Sequence, residues 1–315
     1  MGWQGGRLEG WEIFIMIMTV SLNPAVDKTC RLKEMAPGEV NRLSSAESVA
    51  GGKAVNVTKV LRQFHIPVAA VGFLGGSGGS LIGEAMEEMG VECHFTKIAG
   101  ETRTSTNVLE ESGRVTELLE PGPVISEKEL RDFLKQFTGC LENCEMAVLS
   151  GSLPEGVPTD IYAKLVELCH MAGCRVILDS SGEALRQGIQ AGPDLVKPNR
   201  KELEYLAGRQ LQSREEIIDA ARELLALGVG RIVVSLGREG LLCVDGENVY
   251  LQAAKQVQAV NTVGCGDTVV ASLCMSELAG DDTETALAKA AAMAAANATT
   301  KENGSIPMAT YLDLL

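Results

Sequence analysis

The chain is poor in the residues that most often build metal centres and nucleic-acid surfaces. Its 315 residues include only three histidines, and its nine cysteines form no CxxC pair. No Cys/His array with zinc-ligand spacing is left, and reduced thiols in the cytoplasm are the expectation. Basic side chains are in deficit: 28 lysines and arginines face 42 aspartates and glutamates, a formal net charge of −14. That balance works against nonspecific binding of nucleic acid or an anionic membrane, while still permitting a local basic pocket for a small anion. Long apolar runs are missing as well. The run from Ile13 to Met18 is too short for a membrane span and lacks a persuasive cleavage site. We read residues 1–15 as a non-native or disordered leader, with Met16 or Met18 as the natural start. A Walker phosphate loop is absent, and no GxGxxG follows an early strand, so a dinucleotide-dependent dehydrogenase is poorly supported.

What the chain does have is glycine placed beside charge. In AVNTVGCGDTVVA, Gly264 and Gly266 bracket Cys265, and Asp267 follows at once before an apolar run that predicts a helix starting near Gly266. Glycines allow a tight turn that aims several backbone N–H groups at one point, and the free amides of a helix start carry partial positive charge. Two readings follow. Either Asp267 caps a helix, or a carboxylate beside an anion hole takes a proton from an attacking hydroxyl while the amides steady a transferring phosphoryl group. Upstream, Gly51-Gly52-Lys53 precedes a helix whose apolar side is Val57, Val60, Leu61 and Phe64. This is a phosphate-receiving arrangement or simply a solvated lysine at a helix start.

The pattern along the chain predicts how these pieces are carried. A first buried strand, Ile15 to Leu22, runs into Asn23-Pro24 and places Asp27 at a strand end. Two extended ribbons, about residues 25–50 and 101–120, have the turns Pro37-Gly38 and Ser112-Gly113 and predict a small β sheet serving as a lid. GGSGGS at 75–80 reads as a turn into a helix from Ser80 to Met89. From Pro123 onward strands and helices alternate: strands Met146 to Leu149, Arg175 to Asp179, Asp194 to Lys197 and Arg231 to Leu236, with helices Glu127 to Phe137, Thr159 to Met171 and Arg214 to Leu227. Such alternation implies a mostly parallel sheet covered on both faces, with ligands gathering at the carboxyl ends of its strands. No linker or repeat marks a second domain, so residues 1–315 read as one.

An ordered set of motifs resembles the ribokinase-like (PfkB) carbohydrate kinases, and within them the group of 1-phosphofructokinases and tagatose-6-phosphate kinases. The set is SLNPAVD at Ser21 to Asp27, VNR at Val40 to Arg42, AGGKAVNV at Ala50 to Val57, ETRTSTNV at Glu101 to Val108, SGSLP at Ser150 to Pro154, VKPNRKELE at Val196 to Glu204, SLGREG at Ser235 to Gly240 and NTVGCGDT at Asn261 to Thr268. The resemblance implies a three-layer α/β/α fold with a small β lid, and transfer of the γ-phosphoryl group of MgATP to a hydroxyl of a ketohexose monophosphate. Fructose 1-phosphate stands ahead of tagatose 6-phosphate, although Asn297 to Ser305 is more like the tagatose-6-phosphate enzymes. A kinase for another small sugar or nucleoside is the next alternative, and a noncatalytic sugar-phosphate sensor is the alternative of another class.

The resemblance also implies roles. Asp267 matches the general base, and Gly264, Cys265 and Gly266 the anion hole. Asp27, Gly52 and Asn56 match residues that bind sugar hydroxyls, with Lys53, Arg42 and Arg103 as candidates for the acceptor's phosphate. Asn199 and Glu202 match a motif that holds Mg²⁺ through water. Lys197, Ser235, Gly237, Gly240 and Asn297 match the nucleotide side. A homodimer meeting through the lids is a further implication. Two departures stand out: Ala54 replaces the usual glycine after the lysine, and Cys265 occupies a place where alanine or serine is commoner. A thiol at a helix start is expected to be acidified, and so Cys265 is expected to be sensitive to alkylation.

Overall fold

The computed structural model describes residues 16–315, and the leader assigned to residues 1–15 lies outside them. Nine strands form the larger sheet. Its parallel part holds β1 (Met16–Ser21), β4 (Val68–Leu74), β5 (Glu92–Lys97), β8 (Cys144–Ser150), β9 (Arg175–Asp179), β10 (Leu195–Val196) and β11 (Arg231–Ser235). An antiparallel hairpin, β12 (Leu241–Asp245) and β13 (Asn248–Gln252), extends the edge beyond β11, giving the order β13-β12-β11-β10-β9-β8-β1-β4-β5. The hairpin was not anticipated, although Asp245-Gly246 between two apolar runs is a hairpin signal.

Side-chain alternation along the strands divides the core in two. Met18 and Val20 of β1, Ala147 and Leu149 of β8, and Val176 and Leu178 of β9 face a cluster that includes Phe133 and Phe137 of α3 (Glu127–Cys140), with α4 (Ile161–Met171) and α7 (Arg214–Leu225). Ile17, Met146, Val148 and Ile177 face the opposite cluster with α1 (Lys53–Gln63), α2 (Gly76–Glu88), α8 (Cys265–Ala279) and α9 (Thr283–Ala298). The expected three-layer α/β/α architecture is the one observed. α5 (Gly182–Gly188), α6 (Arg200–Ala207) and α10 (Met308–Leu314) complete the helices. Most of α8 from Asp267 to Ser276 is buried, so this helix is apolar on nearly every side, as an interior helix must be. No helix among the described residues is long and apolar enough to cross a membrane.

The two ribbons join into a smaller sheet of order β3-β2-β6-β7, formed by β2 (Ala25–Leu32), β3 (Ser45–Gly51), β6 (Arg103–Glu110) and β7 (Val115–Leu119). β2 and β6 are parallel and the two edge pairs antiparallel. One expectation is corrected: α2 begins at Gly76, inside the stretch read as a turn. Glycine's low helix propensity is overridden by a distant cap, because Glu101 accepts hydrogen bonds from the Gly78 amide (2.7 Å) and the Ser77 hydroxyl (3.1 Å).

Candidate active site

Two helix starts meet at the carboxyl end of the parallel strands. α1 and α8 pack against each other, and Asn56 Nδ2 donates to Asp267 Oδ2 at 2.8 Å. Gly264 caps α8 with φ of 80°, a left-handed conformation that glycine adopts at little cost. The amides of Gly266 and Asp267 then open the helix without intrahelical acceptors. Asp267 is 7% exposed. Burial, and then the nearby charge of Asp179, push its carboxyl up to about 6, against the opposing pull of Lys53, Asn56 and Lys197.

Asp179 ends β9 and organises the cations. Its Oδ1 accepts from Lys53 Nζ at 2.9 Å and lies 3.4 Å from Lys197 Nζ. Burial opposes its charge, yet Lys197 and Lys53 hold its carboxyl below the ordinary range. Burial likewise opposes the charge of Lys53, and Asp179, Glu202 and Asp267 outweigh it, so this ammonium stays protonated well above the usual lysine range. Lys53 Nζ also lies 3.8 Å from Glu202 Oε1. A Cβ built on Gly266 would sit 3.5 Å from Lys197 Nζ, which brings that lysine to the turn that opens α8. Lys53, which the sequence grouped with the acceptor's phosphate, is held by Asp179 at the end of β9 and lies near Glu202 of α6.

Asn199 and Glu202 form a reciprocal capping box at the start of α6: Asn199 Oδ1 accepts from the Glu202 amide and Glu202 Oε2 from the Asn199 amide, each at 2.9 Å. The helix-capping role is thus real. Glu202 Oε1 and the buried Asp179 Oδ2, which has no protein partner among the described residues, supply further oxygen lone pairs beside it. An all-oxygen set suits a hard divalent ion. With Glu202 Oε1 also 3.8 Å from Lys53 Nζ and Glu202 Oε2 engaged in the capping box, these oxygens fit an ion held through its water shell. Ser235 is brought to the same place: its amide donates to Pro198 O at 2.9 Å, and the turn through Gly237 to Gly240 closes with Leu236 N to Gly240 O at 2.9 Å.

At the other end, Asp27 is buried in β2 over Gly51, where any Cβ would collide with its carboxylate. Gly52 follows with φ of 98°, its backbone close against Pro24. Burial raises the Asp27 carboxyl, and a hydrogen bond from Asn303 with the charges of Lys59 and Arg103 pulls it back. Arg103 donates Nε to Asn23 O (3.2 Å) and Nη1 to Glu120 O (3.1 Å). Lys59, one helical stretch beyond Lys53, donates to Ala50 O. Arg42 is not gathered in. It lies exposed between β2 and β3 and makes no ion pair among the described residues.

Sequence reasoning gave no role to Asp179, Lys59, Asn303 or Asn261. Asp179 alone carried a usable signal, as an acid at the carboxyl end of a predicted strand. Asn297 is buried at the end of α9, where Nδ2 donates to Val263 O at 3.2 Å and contacts Cys265 Sγ at 3.5 Å. The acidified thiol expected at Cys265 is not what the structure shows: burial raises it, and the hydrogen bond from Asn297 offsets that only in part. Peptide mapping after brief iodoacetamide treatment at neutral pH is expected to leave Cys265 unmodified. Rapid labelling there would contradict this environment.

A carboxylate, an amide turn and paired lysines at one end of an α/β/α sheet, facing a second binding end under a small sheet, define the class as a phosphoryl-transferring kinase of ribokinase-like fold. The chain belongs to the pfkB family of carbohydrate kinases, which it matches over residues 17–310. It is accordingly an ATP-dependent sugar kinase. Among solved structures it is similar to phosphofructokinase-2 from Escherichia coli in complex with potassium, at 28% identity and TM-score 0.90, covering 95% of this chain and 98% of that one. A possible 1-phosphofructokinase from Thermotoga maritima matches at 25% identity and TM-score 0.86, covering 95% and 97%. Arabidopsis thaliana ribokinase, solved with ribose and ATP, shares the fold at 23% identity and TM-score 0.77, covering 95% and 98%.

Proposed function

We propose that the acceptor is a ketohexose monophosphate, with fructose 1-phosphate ahead of tagatose 6-phosphate. The observation that carries this reading is the pair of cations, Arg103 and Lys59, set beside Asp27 in a chain of net charge −14. An uncharged sugar needs no such pair, whereas a phosphate gains charge-assisted hydrogen bonds from it. Asp27 and Asn56 orient the sugar hydroxyls. Asp267 takes the proton from the attacking hydroxyl, and the Gly266 and Asp267 amides, with Lys53 and Lys197, steady the charge on the transferring group. Mg²⁺ held through water at Asn199, Glu202 and Asp179 would neutralise phosphate charge. Ser235 to Gly240 and Asn297 take the nucleotide side. The smaller sheet acts as a lid that excludes water from the transfer.

A coupled assay with fructose 1-phosphate, tagatose 6-phosphate, fructose 6-phosphate and unphosphorylated fructose tests the acceptor class. Arg103→Ala is expected to raise KM for the phosphorylated acceptor by ten-fold or more, on the order of one lost charge-assisted bond, and to leave KM for ATP within about twofold. Preference for the free sugar would refute the reading. The edges of the smaller sheet expose Val49, Val115, Leu118 and Leu119. Such surface suits pairing of two lids into a homodimer, which sedimentation velocity would detect as a species of twice the chain mass.

A further inference from the structure

The segment after α9 does more than lead to the last helix. Asn303 Nδ2 donates to Asp27 Oδ2 at 3.1 Å, while Asn303 Oδ1 accepts from Asn261 Nδ2 at 2.9 Å. Asn261 Oδ1 in turn accepts from the Val263 amide at 2.9 Å. Val263 O accepts from Asn297 Nδ2 at 3.2 Å, and Asn297 Oδ1 accepts from the Gly304 amide at 2.9 Å, which returns the path to the residue beside Asn303. Three asparagines thus close a ring in which each amide nitrogen donates and each amide oxygen accepts, so the side-chain orientations are mutually determined. The ring also abuts the anion-binding turn directly: a Cβ built on Gly264 would lie 3.3 Å from Asn303 Cβ.

We propose that Asn303 and Asn261 form a positioning bridge between the acceptor carboxylate, Asp27, and the anion-binding turn at Val263–Gly264, so that occupancy of one substrate end changes affinity at the other. The assignment of Asp27 to the acceptor rests on the function proposed above. The bridge has a physical reason to transmit. Asn303 holds Oδ2, which leaves Oδ1 of Asp27 for the sugar, so a shift of the turn alters the strength and direction of the one side-chain hydrogen bond this carboxylate accepts among the described residues. Linkage then requires the effect to run equally in both directions. The charged groups around Asp27 are Lys59 on α1, Arg103 on β6 and Glu117 on β7, and none of them belongs to the ring.

The test has two arms on the full chain. Calorimetric titration of fructose 1-phosphate, with and without a non-hydrolysable ATP analogue and Mg²⁺, is expected to show a coupling of about fivefold or more in the wild type and less than about twofold in Asn303→Ala and Asn261→Asp. The second variant keeps the oxygen that accepts from the Val263 amide while removing the donor to Asn303, together with the bond to Lys301 O at 3.2 Å, so it tests the bridge with the cap of the turn retained. The other arm needs no acceptor. Carbon-13 titration of the Asp27 carboxyl is expected to shift when the nucleotide analogue binds the wild type and to stay in place in Asn261→Asp. Unchanged coupling in both variants, absent coupling in the wild type, or an Asp27 titration blind to nucleotide would overturn the bridge. Failure of fructose 1-phosphate to bind, with the nucleotide-linked Asp27 shift intact, would count against the acceptor reading and leave the bridge standing.

Discussion

Replacing Asp267 by asparagine is expected to abolish nearly all turnover while making the protein more stable. The loss in kcat should be about 10²- to 10⁴-fold, the usual worth of a positioned general base, with both substrates still bound. The gain in stability follows from the sign of the pKa shift. The folded-state carboxyl titrates near 6, against 3.8 for an unperturbed aspartate, so between those values the folded chain binds the proton more readily than the unfolded one. Stability therefore falls as pH rises through this window, and at neutral pH the buried charge costs about 3 kcal/mol. Asparagine keeps the shape and removes the charge. Thermal melting at pH 7.5 should rise by a few degrees, and the difference from wild type should shrink towards pH 4. The acidic limb of kcat/KM in the wild type is expected near pH 6. A variant with near-normal turnover would remove Asp267 as the base, and one that melts lower would contradict the cost assigned to its burial.

Asp179→Asn is expected to do the reverse to stability. Asp179 has no exposed side-chain surface, and its Oδ1 is the meeting point of Lys53 and Lys197, of which Lys197 is 4% exposed. Removing one member of a buried ion cluster leaves the others uncompensated, at a cost of about 3–5 kcal/mol. Urea unfolding should report this as a lower midpoint with little change in slope. Because the folded-state carboxyl is held low, its contribution is present above the ordinary aspartate range and is lost as pH falls through the folded value. The two aspartates are also coupled. The charge of Asp179 is one of the causes that raise Asp267, and the two lysines are among those that lower it. Asp179→Asn should accordingly move the acidic limb of kcat/KM below 6. A limb that stays put would show that the two carboxylates do not sense each other in the working enzyme.

The parallel strands from β8 onward were legible because their signal is local and their burial two-sided. Arg175–Asp179 reads as a short apolar run ending in an acid, and it is the observed β9. The meeting of Asp267 with Asn56 was foreshadowed by the motifs around each, although 211 positions separate them. What could not be read depends on distance in sequence. α2 starts among glycines because a carboxylate more than 20 residues later caps it. Asn303 joins the site through Asp27, 276 positions away, and through Asn261, 42 positions away. Cys265 shows the limit of a local argument: the helix start is where it was expected, but burial of the thiol outweighs the field of that start. The ion pairs of Lys53 with Asp179 and Glu202 could likewise not be read from the motif around that lysine.

The cap on α2 has a mechanical consequence. Glu101 grips Ser77 and Gly78, and Thr102 is pinned twice to Gly75, once through its amide (3.0 Å) and once through its hydroxyl (3.0 Å). Arg103 is the next residue and the first of β6. The smaller sheet thus hangs from an anchored bracket, and Arg103 sits at its fulcrum. Were the sheet to close as the proposed lid, Val115 and the Ser112-Gly113 turn would travel through a wide arc while the guanidinium would move least. Under the proposed function, an Arg103 anchored in this way would present its charge to the acceptor's phosphate before as well as after closure, so capture of an anion would not have to wait for the lid.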